Sequence, residues 1–224
     1  IGGTRGGDAW HRNLEARGAR AASDSRLVAV IGVLALQGDF ALHERALDRI
    51  GEESAEVRKP TELERVDGLI IPGGESTTLL KLMEAWEFIP ALEKFHAAGK
   101  PIFGTCAGLI LLAKEVLNPV QFSLGFIDLT VERNAYGRQK ESFETLGDAD
   151  LERKRQRIRM VFIRAPRIRR VGPTVTPLAL HEGECVMAQE GSVLVASFHP
   201  ELTDDTSVHR YFARMVSPNM TGEK

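Results

Sequence analysis

From residue 27 onward, apolar positions form short unbroken runs, separated by stretches in which they recur at helical spacing. The longest run, residues 27–36, reads as a buried central strand. Gln37-Gly38-Asp39 follows it, and Asp39 stands where it can cap a helix running to about Ile50. Phe40, Leu47 and Ile50 fall on one face of that helix, and Gly51 ends it. Residues 56–59 and 68–71 are the next strand candidates. Pro72-Gly73-Gly74 then turns sharply into a helix beginning near Ser76. A second helix over 91–98 stops at Gly99, residues 101–104 form a further buried strand, and the apolar run 109–117 reads as helix. Strands alternating with helices predict an α/β fold with a mostly parallel, doubly wound sheet covered on both faces.

The second half is richer in strand patterns, at 127–132, 160–163, 175–180, 184–188 and 193–198, and closes with a helix over about 205–215. Residues 134–159 are charged and read as loop. Residues 1–26 are glycine-rich, then Arg/Ala-rich, without a steady apolar stripe or the apolar core of a signal peptide. They are expected to form a flexible extension ahead of one domain spanning 27–217, with 218–224 as a tail.

Composition narrows the function classes. The chain has 224 residues, 43% hydrophobic and 27% charged, with a formal net charge of −2 and a pI near 6.4. Nothing global points to nucleic acid or an anionic membrane, and no apolar run reaches membrane-spanning length. The basic region, Arg153-Lys154-Arg155-Gln156-Arg157 and then residues 164–170, lacks interleaved aromatics. It reads as a solvated face or a contact for an acidic partner rather than a nucleic-acid site. Two cysteines make neither a disulfide framework nor a metal cluster, and their scarcity suits a reducing cytoplasm. Cys185 lies in a short apolar stretch and reads as a small buried hydrophobe.

Cys106 is different. Gly104-Thr105-Cys106-Ala107-Gly108 follows a buried strand and precedes an apolar helical run, the pattern of a nucleophile elbow with Cys in place of Ser. Small flanking residues allow the tight turn, a helix N-terminus favours thiolate, and the Ala107 amide is placed to stabilise an oxyanion. Ser197-Phe198-His199-Pro200-Glu201 ends the last strand candidate. In extended chain, positions i and i+2 point to one side, so Glu201 can hold one ring nitrogen of His199 while the other acts on the thiol. Pro72-Gly73-Gly74-Glu75-Ser76-Thr77 permits close backbone approach to a ligand and presents N–H groups, but lacks the Lys of a phosphate-binding P-loop.

Together these segments resemble class I (triad) glutamine amidotransferases, and among them the glutaminase subunits of pyridoxal 5'-phosphate synthase. The phrases that carry the resemblance are Leu36-Gln37-Gly38-Asp39, Pro72-Gly73-Gly74-Glu75-Ser76-Thr77-Thr78, Phe103-Gly104-Thr105-Cys106-Ala107-Gly108 and Ser197-Phe198-His199-Pro200-Glu201-Leu202-Thr203. Between them stand Val131-Glu132-Arg133-Asn134-Ala135-Tyr136-Gly137-Arg138-Gln139 and Phe162-Ile163-Arg164-Ala165-Pro166. The similarity runs from about Val28 to the closing helix. It implies a flavodoxin-like three-layer sandwich with a mostly parallel central sheet, and a catalytic triad of Cys106, His199 and Glu201. It also implies glutamine contacts at Gly74, Glu75, Ser76, Arg133, Ile163 and Arg164, and an oxyanion hole at Gly74 and Ala107. An Arg can grip an α-carboxylate bidentately, and Glu75 can pair with an α-amino group. The partners implied are L-glutamine and a barrel-shaped synthase subunit that takes up the ammonia, in a cytoplasmic hetero-oligomer with no cofactor or metal on this chain. Leu42 stands where many members carry Glu, and Met160 where Gly is common. Two other readings remain: a glutaminase serving a different synthase, and a non-catalytic Cys-containing α/β regulator.

Overall fold

A computed structural model of the chain describes residues 28–133 and 142–218. The expectations for residues 1–26, for most of the tail and for the Asn134–Gln139 part of the resemblance fall outside these residues. In chain order the elements begin β1 (Val30–Leu34), α1 (Phe40–Arg49), β2 (Glu53–Val57), a 3-10 turn (Pro60–Arg65) and β3 (Gly68–Ile71). They continue α2 (Ser76–Ala85), α3 (Phe88–Ala97), β4 (Ile102–Thr105), α4 (Ala107–Leu112), β5 (Ala113–Leu117) and β6 (Ile127–Glu132). Then come β7 (Ser142–Leu151), β8 (Lys154–Ile163), β9 (Arg167–Val171), β10 (Thr176–His181), β11 (Glu184–Glu190) and β12 (Val193–Ala196). A second 3-10 turn (Pro200–Leu202) and α5 (Ser207–Val216) close the chain.

One nine-stranded sheet, in the order β2-β1-β3-β4-β12-β11-β10-β7-β8, organises the molecule. The pairings from β2 through β12 are parallel, and those from β12 through β8 are antiparallel. The parallel half follows from sequence: β3, β4 and β12 are buried at every position, because both faces are covered. Alternate residues serve different layers. Ile31, Val33, Ile70, Phe103, Leu194 and Ala196 join the core that holds Leu47 of α1 and Phe212 of α5. Leu34, Leu69, Ile71, Ile102, Val193 and Val195 join the opposite core, which holds Leu79 of α2 and Leu92 of α3. Full burial of such a side chain contributes about 1.5–3 kcal/mol. The second core is closed by a three-stranded sheet, β5-β6-β9. The arrangement is the three-layer α/β sandwich expected.

Several local expectations need correction. The strand expected at 56–59 lies at Glu53–Val57, parallel to β1 at the sheet edge. The apolar run 109–117 is helix only to Leu112, after which Ala113 turns to extended backbone (φ −61°, ψ 154°) and the chain becomes β5. The charged stretch 134–159, expected as loop, contains β7 and the first part of β8, whose end at 160–163 is the strand expected; the two form a long antiparallel hairpin in continuous register from Ser142–Ile163 to Leu151–Lys154. In the middle of β7 the inward positions hold only the small Gly147 and Ala149, so its two-residue period is weak there. Asp39 does occupy the N-cap of α1, but its side chain makes no capping bond; its carbonyl accepts from Leu42 and His43 instead.

Candidate active site

β4 delivers the nucleophile. Cys106 has φ 48° and ψ −99°, a strained conformation for a residue with a Cβ, typically costing about 1–3 kcal/mol. Neighbouring contacts hold it there. The Cys106 N–H donates to the Ala196 carbonyl at 2.9 Å, and its own carbonyl accepts from Ile110 at 3.2 Å. The turn also needs Gly108, where a Cβ would stand 2.2 Å from the Ile71 carbonyl oxygen. The elbow anticipated from sequence is therefore present, with Cys106 only 7% exposed at its apex.

His199 follows β12, and its N–H donates to Val161 of β8 at 2.8 Å, so the hairpin helps fix it. Its Nδ1 lies 2.7 Å from Glu201 Oε1. The carboxylate only accepts, which puts the Nδ1 proton on this bond and leaves Nε2 free to act on the Cys106 thiol in the same cavity. The pairing arises differently from the extended-chain expectation. Pro200 starts a 3-10 turn, and that turn brings Glu201 back beside His199.

Electrostatics reinforce the geometry. Burial opposes a charged His199, but hydrogen bonds to Cys106 and Glu201 outweigh it and raise its pKa to about 10. Burial likewise opposes a charged Glu201, but the facing His43 and His199 hold its pKa down at about 2. A thiolate beside an imidazolium beside a carboxylate is the charge pattern this favours. Asp39 adds a third potential ligand atom within 4.8 Å of those on His199 and Glu201, but Nδ1 of His199 is already committed to Glu201.

Cys106 and His199 open onto a cavity of about 280 Å³. Gly74, Glu75, Ser76, Arg133, Ile163 and Arg164 all line it, so every substrate contact implied by the resemblance comes to one place. Glu201 sits behind His199, and Ala107 starts α4 fully buried. Asp39, Ile110 and Pro166 also line the cavity; the sequence marks Asp39 as a helix cap and gives none of the three a place in the site. Arg164 holds a left-handed φ of 43°, another strained residue at the site. A larger cavity, of about 420 Å³, lies between the first 3-10 turn and α3 and contains no nucleophile.

Polar groups at the cavity wall are tied together. Glu75 caps α2, accepting from the Thr77 and Thr78 N–H groups at 3.0 and 2.6 Å and from Thr78 Oγ1 at 2.7 Å. Partial burial works against its charge, but these bonds hold its pKa down at about 2. Arg133 donates to Gln121 Oε1 at 2.6 Å and to Thr77 Oγ1 at 3.1 Å, and lies 3.5 Å from Glu75. Gln121 also accepts from Ser76 Oγ at 3.1 Å. No sequence motif marks Gln121; only the fold brings it to Arg133. At the glycine turn, a Cβ on Gly73 would stand 2.4 Å from His199 Cε1, and one on Gly38 would stand 1.9 Å from the Gly73 carbonyl oxygen. Both glycines are needed for the backbone to pass this close.

The model of the SNO glutamine amidotransferase family matches residues 33–218. The pyridoxal 5'-phosphate synthase subunit PdxT of Koribacter versatilis is 52% identical over 194 residues, 87% of this chain and 99% of its own. The subunit of that name from Niallia circulans is 50% identical over 186 residues, 83% of this chain and 97% of its own. A crystal structure of a glutamine amidotransferase superposes with a TM-score of 0.78 at 48% identity, covering 84% of this chain and 99% of that one. PurLQS from Thermotoga maritima, at 15% identity and a TM-score of 0.65, shares the fold.

Proposed function

The chain belongs to the SNO glutamine amidotransferase family, and on that premise we propose that it is the glutaminase subunit of a pyridoxal 5'-phosphate synthase. It hydrolyses L-glutamine to L-glutamate and ammonia, within a catalytic domain spanning residues 27–217. The ammonia passes to a barrel-shaped synthase subunit that builds pyridoxal 5'-phosphate, in the cytoplasm. The observation that carries this reading is the strained Cys106 in one cavity with His199, whose Nδ1 stands 2.7 Å from Glu201.

The chemistry follows from the proton positions. His199 Nε2 takes the thiol proton, and Cys106 Sγ attacks the side-chain amide carbon of glutamine. Negative charge developing on the amide oxygen is met by the N–H groups of Ala107 and Gly74. His199 returns the proton to the leaving nitrogen, the C–N bond breaks, and ammonia departs, leaving a γ-glutamyl thioester. Water, deprotonated by His199, adds to that thioester; the C–S bond breaks and glutamate leaves. Glu201 accepts from Nδ1 throughout, keeping the tautomer correct and stabilising the imidazolium. Gly74, Glu75, Ser76, Arg133, Ile163 and Arg164 hold the amino-acid end of the substrate. Arg133 and Arg164 are the cations suited to its carboxylate.

The test is ammonia release from L-glutamine by the purified chain, with and without the synthase subunit from the same source. Glutamate and ammonia in equal amounts support the reading. No release in either condition removes it.

A further inference from the structure

Behind Glu201 lie two histidines that the proposed mechanism leaves unused. His43 of α1 and His209 of α5 are both fully buried. His43 Nε2 stands 3.4 Å from Glu201 Oε2 and 3.3 Å from Thr105 Oγ1, the residue before the nucleophile. Its Nδ1 stands 3.0 Å from His209 Nε2. The Phe103 ring meets both imidazoles edge-on, with centroids 6.3 Å away and interplanar angles of 86° and 84°. The ionisable groups facing His43 are Glu201, His199, Asp39 and His209; Arg49 and Asp205 face His209. Burial lowers the pKa of both histidines, so each carries a single ring proton at neutral pH.

Hydrogen-bond roles then fix where those protons are. Glu201 can only accept: Oε1 takes the bond from His199, while Oε2 is buried without a hydrogen bond and has His43 Nε2 at 3.4 Å. The His43 proton therefore sits on Nε2, its Nδ1 accepts, and His209 must donate from its own Nε2. His43 Nε2 thus stands between two acceptors, hydrogen-bonded to Thr105 Oγ1 and at ion-pair distance from the otherwise unpartnered Oε2 of Glu201, with His209 behind it and His199 on the other side of the carboxylate.

We propose that His43 is a positioning residue for the reaction: its Nε2–H holds the far oxygen of Glu201 so that the near oxygen stays aimed at His199, while His209 locks the His43 tautomer. This rests on the glutaminase reading for its effect on turnover, but not for its effect on the thiol. A Glu201 carboxylate that can swing away stabilises the imidazolium less. Cys106 then becomes reactive only at higher pH.

Three substitutions in the full chain separate this role from simple packing. In His43→Gln, the side-chain amide reaches about as far as Nε2; in His43→Asn, it reaches only about as far as Nδ1; His43→Leu fills space without a donor. Two quantities are read: kcat and KM for glutamine hydrolysis with the synthase subunit present, and the pH dependence of Cys106 alkylation by iodoacetamide without glutamine. The Leu and Asn variants should lose about 10–100-fold in kcat, the usual range for removing an outer partner that orients a functional group, with KM within about twofold. Their alkylation profiles should move to higher pH. The Gln variant should recover most of the turnover and the wild-type profile. A Leu variant that matches wild type in both readouts would overturn the proposal, as would a Gln variant impaired as severely as Leu. If Leu does not fold, Gln and Asn decide the matter, and equal behaviour of those two overturns it. A wild-type chain that releases no ammonia would remove the glutaminase reading, while the alkylation series would still decide the role of His43.

Discussion

Glu201→Gln removes one charge from the buried row and leaves its shape nearly intact. Glu201 is 5% exposed, and both of its oxygens face donors: His199 Nδ1 at 2.7 Å and His43 Nε2 at 3.4 Å. An amide has one acceptor and one donor end, so one histidine must face an NH2 group. If that histidine is His199, its proton moves to Nε2 and the ring can no longer accept from Cys106. Losing charge assistance on the His199 bond costs about 1–2 kcal/mol, and a buried mismatch about 1–3 kcal/mol more. Together, about 2–5 kcal/mol corresponds to roughly 30- to 5,000-fold in kcat at about 1.36 kcal/mol per factor of ten. The His199 pKa, now raised to about 10, should fall, because one of the groups raising it is gone. The thiolate–imidazolium pair should then form at higher pH and break at lower pH, narrowing the active window from both sides. Steady-state ammonia release from pH 5 to 10, with thermal melting as a check on folding, measures both effects. A folded variant with kcat within about twofold of wild type and the same pH window would refute the assignment of Glu201.

Three further outcomes are expected. Arg133→Ala and Arg164→Ala should raise KM for glutamine with little change in melting temperature, by about 2–5 kcal/mol of lost binding for a charge-assisted pair; unchanged KM in both would move the carboxylate clamp elsewhere. Burial depresses the His209 pKa from 6.5 to about 3, so its contribution to stability is complete above about pH 6.5 and is lost as pH falls toward 3. Urea unfolding of wild type should therefore lose about 2 kcal/mol between pH 6.5 and 5 that His209→Gln does not lose, and equal slopes would contradict a buried neutral imidazole. The chain alone should hydrolyse glutamine weakly and the synthase subunit should raise turnover about 10²–10³-fold, if docking completes the oxyanion hole at the Gly73–Gly74 peptide; equal turnover with and without synthase would exclude that switch.

The parallel half of the fold could be read from the sequence because its strands are covered on both faces. β3 coincides with the expected strand at 68–71, since Gly-Leu-Ile-Ile is buried at each position and bounded by turn residues. The uniform apolar run after Cys106 misled for the same reason. Leu109 to Ala113 are all buried, so no periodicity marks the point where α4 gives way to β5. The β7 strand gives little signal because charged residues dominate its outward positions and its central inward positions are the small Gly147 and Ala149, whereas β8 shows itself only at its apolar end, around Met160 and Phe162. Within the site, Cys106, His199 and Glu201 announce themselves through local motifs. His43 and His209 do not: they meet across 166 positions of sequence, through the packing of α1 and α5 against β4, and each alone looks like any histidine on a helix. Gln121 is similar, reaching Arg133 from a loop without a motif.

The central claim is that Cys106 breaks the side-chain amide of glutamine through a thioester. Its most direct measurement is ammonia and glutamate release by wild type and Cys106→Ser, each with saturating synthase subunit, alongside glutamine binding by calorimetry. A serine hydroxyl in a site built for a thiolate is a far poorer nucleophile. The account predicts wild-type-like glutamine binding and melting temperature in Cys106→Ser, with no ammonia above background. Ammonia release at the wild-type rate from Cys106→Ser would contradict it.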